Sequence, residues 1–117
     1  MAIPEFIYKI ASREAYRVFA KTGVFPGMPI DRKDGYVHFS TAAQLAETLR
    51  LHFAGQPDLV VFSVRTDALG PALRWERSRG GDLFPHLYAD LGIAALGQHA
   101  TISVAADGSV ALPGWVQ

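Results

Sequence analysis

Three residues of this chain could move a proton, hold a metal or stabilise charge, and they sit where a core would want none of them: His38, Glu76 and His86. His38 lies in Tyr36-Val37-His38-Phe39-Ser40. Strand alternation there puts Val37 and Phe39 on one face and Tyr36, His38 and Ser40 on the other. Glu76 lies in Leu73-Arg74-Trp75-Glu76-Arg77, where Leu73 and Trp75 point one way and Arg74 and Glu76 the other. His86 stands inside the aromatic run Leu83 to Leu91.

Two kinds of chemistry suit such a set. Two histidines and a carboxylate are the donors of a facial metal triad, although ligands of that kind usually come as a close pair in sequence and these are far apart. Without a metal, the set suits group transfer. Glu76 would stabilise an oxocarbenium-like sugar carbon, and His38 and Ser40 would hold ribose hydroxyls or a phosphate. Arg74 and Lys9 would supply positive charge, and Tyr36 and Tyr88 would stack on a flat ring such as nicotinamide or a base. The structural alternative stands beside both. His38 and His86 could be hydrogen-bonded core histidines, and Glu76 between Arg74 and Arg77 a member of a solvated ion-pair strip. A serine–histidine–acid triad is poorly supported, because Ser40 lies two residues from His38 with no Gly-x-Ser-x-Gly elbow. Neither a P-loop nor a Gly-x-Gly-x-x-Gly run is present.

The elements that must position these residues follow from pattern. Phe6 to Ile10, aromatic and β-branched, predicts a first strand. Ser12 then reads as an N-cap and Glu14 as a first-turn anion for a helix carrying Ala15, Val18, Phe19 and Thr22, stopped by Gly23. Val24 to Lys33, with Pro26, Gly27 and Pro29, reads as a stiff loop that could form one lip of a cleft. Thr41 and Gln44 make a capping box for a helix with the stripe Ala42, Leu45, Ala46, Leu49 and Phe53, ended by Gly55. His52, near its last turn, reads as structural or solvent-facing. Leu59 to Val64 reads as a central strand covered on both faces. Leu83 to Leu91 is too irregular around Pro85 for a strand or a helix, and Ile93 to Leu96 reads as a short strand. His99–Val104 and Ser109–Leu112 flank Asp107-Gly108 as a hairpin. Alternating elements followed by strands predict an α+β domain with a mixed or antiparallel sheet and two helices in the N-terminal half.

Composition narrows the functional classes. At 117 residues the length fits a single domain over residues 1–117. Eleven basic and eleven acidic residues cancel, which argues against nucleic acid or an anionic membrane as a partner. With no cysteine there is no disulfide, thiolate nucleophile or thiolate metal site. Nothing approaches the ~20 apolar residues of a membrane span, and a cytoplasmic location is the expectation. No oligomeric state follows from the sequence.

The blocks Ile7-Tyr8-Lys9-Ile10, Asp34 to Thr41 (DGYVHFST) and Arg74 to Tyr88 (RWERSRGGDLFPHLY) together resemble the small bacterial family known as domain of unknown function 952. That family brings no established activity. More distantly, the order of a strand, a helix, a Gly-ended loop and a His-bearing strand is similar to the N-terminal half of the ADP-ribosyltransferase superfamily, in its RNA 2′-phosphotransferase branch. The resemblance implies an ADP-ribosyltransferase-like split sheet around a cleft for NAD, ADP-ribose or a related nucleotide. In it Tyr8-Lys9-Ile10 would occupy the first block, Tyr36-Val37-His38 the second, and Glu76 or the FPHLY segment the acidic third. Lys9 or Tyr8 then stands where that superfamily has a histidine or arginine. A non-catalytic module binding a small ligand in the same cleft, and a metal-dependent enzyme on His38, Glu76 and His86, are the alternatives.

Overall fold

The computed structural model describes residues 3–117. Strand β1 (Phe6–Ser12) pairs antiparallel with β3 (Leu59–Arg65), and β3 pairs antiparallel with β6 (Leu96–Ile102), so that β3 is central. A second antiparallel sheet has the order β2 (Val37–His38), β5 (Leu83–Leu87), β4 (Leu73–Arg77). Helices α1 (Arg13–Thr22), α2 (Pro29–Asp34) and α3 (Ala42–His52) all fall in the N-terminal half. The expected α+β class with antiparallel sheets therefore holds, with three helices in place of two. No described helix is long and apolar enough to cross a membrane.

Two cores lie on the two faces of the β1–β3–β6 sheet. Ile7, Ala11, Val60, Phe62 and Val64 face one core with Phe19 of α1, Phe25, Phe39 and Leu87. Tyr8, Ile10, Leu59 and Val61 face the other, with Leu45 and Leu49 of α3. The near-continuous apolar run of β3 is the sequence trace of this double coverage.

The start of α2 is the main departure from the sequence reading. Pro29 occupies a first-turn position where its missing N–H costs nothing, and Asp31 accepts from the Met28 N–H at 2.7 Å. Gly35 closes the helix at φ 85°, donating its N–H to Asp31 O. The segment carries both helix signals, a proline at the start and a glycine past the end, but its density of Pro and Gly conceals them.

Pro85 explains a second departure. Leu83–Leu87 is a regular central strand in spite of its proline, whose imino nitrogen lies on the side that β2 leaves. The register places Phe39 opposite Pro85; Phe39 donates to Pro85 O at 3.0 Å, and Pro85 has no N–H to return. The ladder stops there, after only two residues of β2. The chain swings to β1 instead, where Tyr8 and Ser40 exchange N–H···O bonds of 2.8 and 2.9 Å and tie the two sheets together.

The C-terminal expectations change as well. Ile93–Ala95 is a turn of 3-10 helix, not a strand. Asp107-Gly108 does make a turn, with Gly108 donating to Ala105 O, but residues 109–112 form no strand. Val110, Leu112, Trp115 and Val116 pack against the α3-side core, and the Gly108 backbone lies directly against Arg50 of α3. Apolar coverage of that core outweighs extension of the sheet.

The capping box at Thr41 is present as expected, with Gln44 N–H donating to Thr41 Oγ1 and the Gln44 side chain accepting from Thr41 N–H. Thr41→Ala is expected to cost about 1 kcal/mol of stability in urea denaturation. A variant as stable as the parent would show that tertiary packing alone holds the helix start.

Candidate functional site

The β2–β5–β4 register assembles the site. His38 lies opposite His86, and His86 opposite Arg74, in one cross-strand row. One step along, Tyr36 faces Tyr88; one step the other way, Phe84 faces Glu76. The alternate row, Val37, Leu87 and Leu73, turns to the core. Strand alternation thus brings Tyr36, His38, Arg74, Glu76, His86 and Tyr88 to one surface. The Tyr36 ring lies 4.5 Å from His38, 4.3 Å from His86 and 4.9 Å from Tyr88, centroid to centroid. Arg74 covers Tyr88 with its guanidinium 4.7 Å from the ring centre. The two tyrosines therefore pack in tilted contact with each other and with the histidine rings, and Tyr88 stays exposed.

Behind this surface Asp31 gathers the donors around it. Lys9 Nζ lies 2.9 Å from each of its oxygens, His38 Nδ1 lies at 2.7 Å, and the backbone N–H groups of His38 and Met28 donate at 3.0 and 2.7 Å. Burial alone would raise the Asp31 carboxyl, but the His38 hydrogen bond and the Lys9 charge outweigh it and hold the group at about 2. Burial pulls the Lys9 ammonium below its usual range, against the pull of Asp31. Lys9 also donates to His38 O at 2.9 Å, so its ammonium is paired inside the protein with the Asp31 carboxylate and the His38 carbonyl. The other ring nitrogen of His38 lies 3.0 Å from Asp34 Oδ2. Ser40 Oγ donates to Thr48 Oγ1 at 3.3 Å.

His86 differs from His38. It is 4% exposed, and its Nδ1 lies 2.8 Å from Glu76 Oε1, the oxygen that also accepts from Tyr88 OH at 2.6 Å. Those two hydrogen bonds hold the Glu76 carboxyl below its usual range, and the Glu76 partner pushes the Tyr88 phenol up to about 12. No described residue bonds to His86 Nε2. No buried side-chain nitrogen or oxygen is left without a partner, so Nε2 must reach open space. The space it can reach is a cavity of about 520 Å³ lined by His86, Lys9, His38 and Ser40, between the start of α2 (Met28, Pro29, Ile30) and the end of α3 (His52, Phe53). A smaller cavity of about 290 Å³ is lined by Tyr36, Tyr88, Asp31 and Arg32.

The sequence-predicted residues thus divide. Lys9, His38, Ser40 and His86 line the larger cavity, Tyr36 and Tyr88 line the smaller one, and Glu76 and Arg74 line neither. Glu76 stands one hydrogen bond behind His86. Asp31 and Asp34 escaped the sequence reading; the available signal was that a lysine inside an apolar strand needs a carboxylate. His52, set aside as structural or solvent-facing, lines the larger cavity. The metal reading is not supported by the geometry, since no group of three His, Asp or Glu among the described residues could hold an ion.

An α+β protein with a histidine–carboxylate pair beside a partly open pocket is the class that this fold and site define. Within it, the chain belongs to the family described as protein of unknown function DUF952, whose model matches residues 10–99 and so every residue above except Lys9. It is similar to the crystal structure of protein CC0527 from Caulobacter crescentus, at 40% identity and a TM-score of 0.84, covering 91% of this chain and 93% of that one. The solution NMR structure of CC0527 matches at 40% identity and a TM-score of 0.78, covering 92% and 91%. No curated protein matches the chain.

Asp31→Asn should destabilise the fold by about 3–5 kcal/mol, because it leaves the Lys9 ammonium buried without its counter-charge. Lys9→Met should cost less, since Asp31 keeps its His38 and Met28 donors. The folded Asp31 carboxyl is depressed, so its contribution is present above its ordinary 3.8 and is lost as pH falls through about 2. That contribution is about 2 kcal/mol, and Asp31→Asn should flatten the stability profile across this window. Equal denaturation midpoints for the two single variants would refute the hub role of Asp31.

Proposed function

We propose that this protein binds a small molecule in the 520 Å³ cavity, with Nε2 of His86 as the principal polar contact and Glu76 as the group that orients it. The observation that carries the reading is the buried imidazole whose second nitrogen has no protein partner and opens into that cavity. A carboxylate behind a histidine fixes its tautomer and ring direction, as in acid–base sites generally. In a catalytic form of this reading His86 exchanges a proton with the ligand, and Glu76 steadies the imidazolium that forms.

The narrower reading is an ADP-ribosyltransferase-like cleft acting on NAD, ADP-ribose or a related nucleotide. Its support is the order of elements through β2 and the ionised Glu76 beside His86. It needs cations for a diphosphate. Lys9, the one lysine or arginine lining the cavity among the described residues, is already paired with Asp31. The coarser reading is therefore the conclusion, and nucleotides are one arm of its test.

A thermal-shift screen of nucleotides, nucleosides and free ring compounds checks it. A ligand at a hundredfold excess over its Kd stabilises the fold by ~2.7 kcal/mol. His86→Leu should fold, as its own melting curve would show, and lose that shift. Glu76→Gln, which keeps the shape but removes the charge, should weaken binding about tenfold. A ligand whose shift survives His86→Leu unchanged binds elsewhere and would overturn the proposal.

A further inference from the structure

We infer that the cavity takes a neutral, largely apolar molecule that presents one hydrogen-bond donor, an O–H or N–H, to Nε2 of His86. The inference rests on the small-molecule reading above and adds the class of ligand.

Three observations carry it. First, among the described residues the buried Lys9 and the half-buried His38 at the cavity wall are paired with carboxylates inside the protein, and His52 lies at the exposed edge. Lys9 is held by both oxygens of Asp31, and the His38 ring lies between Asp31 and Asp34. Among the described residues no Asp or Glu lines the cavity. An ionised ligand would be stripped of water without gaining an unopposed counter-charge, which is the costly case. Second, Glu76 fixes what His86 offers. The Glu76 carboxylate accepts from Tyr88 OH and faces His86 Nδ1, and an ionised carboxylate can only accept. The ring hydrogen therefore sits on Nδ1, and Nε2 of the neutral imidazole presents a lone pair to the cavity. A group that only accepts, such as an ether or a carboxylate, finds no partner at Nε2. Third, the rest of the lining is mostly apolar, with Ile10, Met28, Phe39, Phe53 and Phe84 around a volume within the roughly 300–1,000 Å³ of small-molecule sites. Ser40, Thr48, His52 and Ser78 add polar groups at the wall, but His86 Nε2 is the buried ring nitrogen whose direction a carboxylate fixes, and beside a mostly apolar lining it favours a molecule with a donor end.

The test uses the unaltered chain labelled with ¹⁵N-histidine, at about pH 8, above the ordinary imidazole range. Probes come in matched pairs: phenol against anisole, which lacks the donor, and nicotinamide against nicotinate, which carries a charge and also lacks the amide N–H. AMP and ADP-ribose serve as anionic nucleotides. Phenol and nicotinamide should shift the His86 Nε2 resonance saturably. Anisole should bind at least tenfold more weakly than phenol, and nicotinate at least tenfold more weakly than nicotinamide. Anisole binding as well as phenol would overturn the donor requirement. Nicotinate, AMP or ADP-ribose binding more tightly than the neutral probes, with the same Nε2 shift, would overturn neutrality while leaving the small-molecule site intact. No shift from any probe would overturn both.

Discussion

The carboxylate of Asp31 is the interaction on which the rest of this structure depends. It takes the Lys9 ammonium on both oxygens, the imidazole and backbone N–H of His38, and the N–H of Met28. Those donors come from β1, from β2 and from the start of α2, so one side chain ties three elements together, beside the Lys9 to His38 O bond and the Tyr8–Ser40 backbone pair. The carboxylate is almost fully buried, and a buried charge persists only where it is paired and hydrogen-bonded throughout. Without it the lysine in β1 would be an uncompensated charge, His38 would lose its orientation, and the α2 residues that form a lip of the cavity would lose their anchor.

The two histidines show how environment separates residues of one type. His38 has a carboxylate on each ring nitrogen and makes no open polar contact with the cavity that it lines. His86 has a carboxylate on one nitrogen only, and the other faces empty space. They sit opposite one another in adjacent strands, with ring centroids 5.4 Å apart. His38 is held at both ring nitrogens and His86 at one, a division that follows from where Asp31, Asp34 and Glu76 stand around the two rings.

Pro85 shapes the site without entering it. By withholding one N–H from β2 it ends the ladder after His38 and sends the chain toward Tyr8. That change of partner joins the two sheets and leaves a gap between them, walled by Tyr8, Lys9, Phe39, Ser40, Phe84 and His86, which is the cavity. A full-length β2 would have continued along β5 in place of this opening.

What the sequence by itself determined is whatever depends on near neighbours in the chain. Alternation placed Tyr36 with His38 and Arg74 with Glu76. The Ser12 and Thr41 caps marked two helix starts, and the apolar run of β3 marked a strand with two covered faces. It also singled out His38, Glu76 and His86, because polar groups amid apolar residues are visible without a fold. Where propensity and context disagreed, the sequence misled: α2 hid among prolines and glycines, β5 hid behind Pro85, and the Asp107-Gly108 turn joined no hairpin. Tertiary structure alone decided which carboxylate meets which cation. Asp31 and Lys9 are 22 residues apart, and Glu76 and His86 are 10 apart on neighbouring strands. Such pairing depends on sheet register and on where a loop crosses a strand, and neither leaves a local trace. For the same reason the pairing of Lys9 with Asp31 and of Glu76 with His86 could be read only from the folded chain.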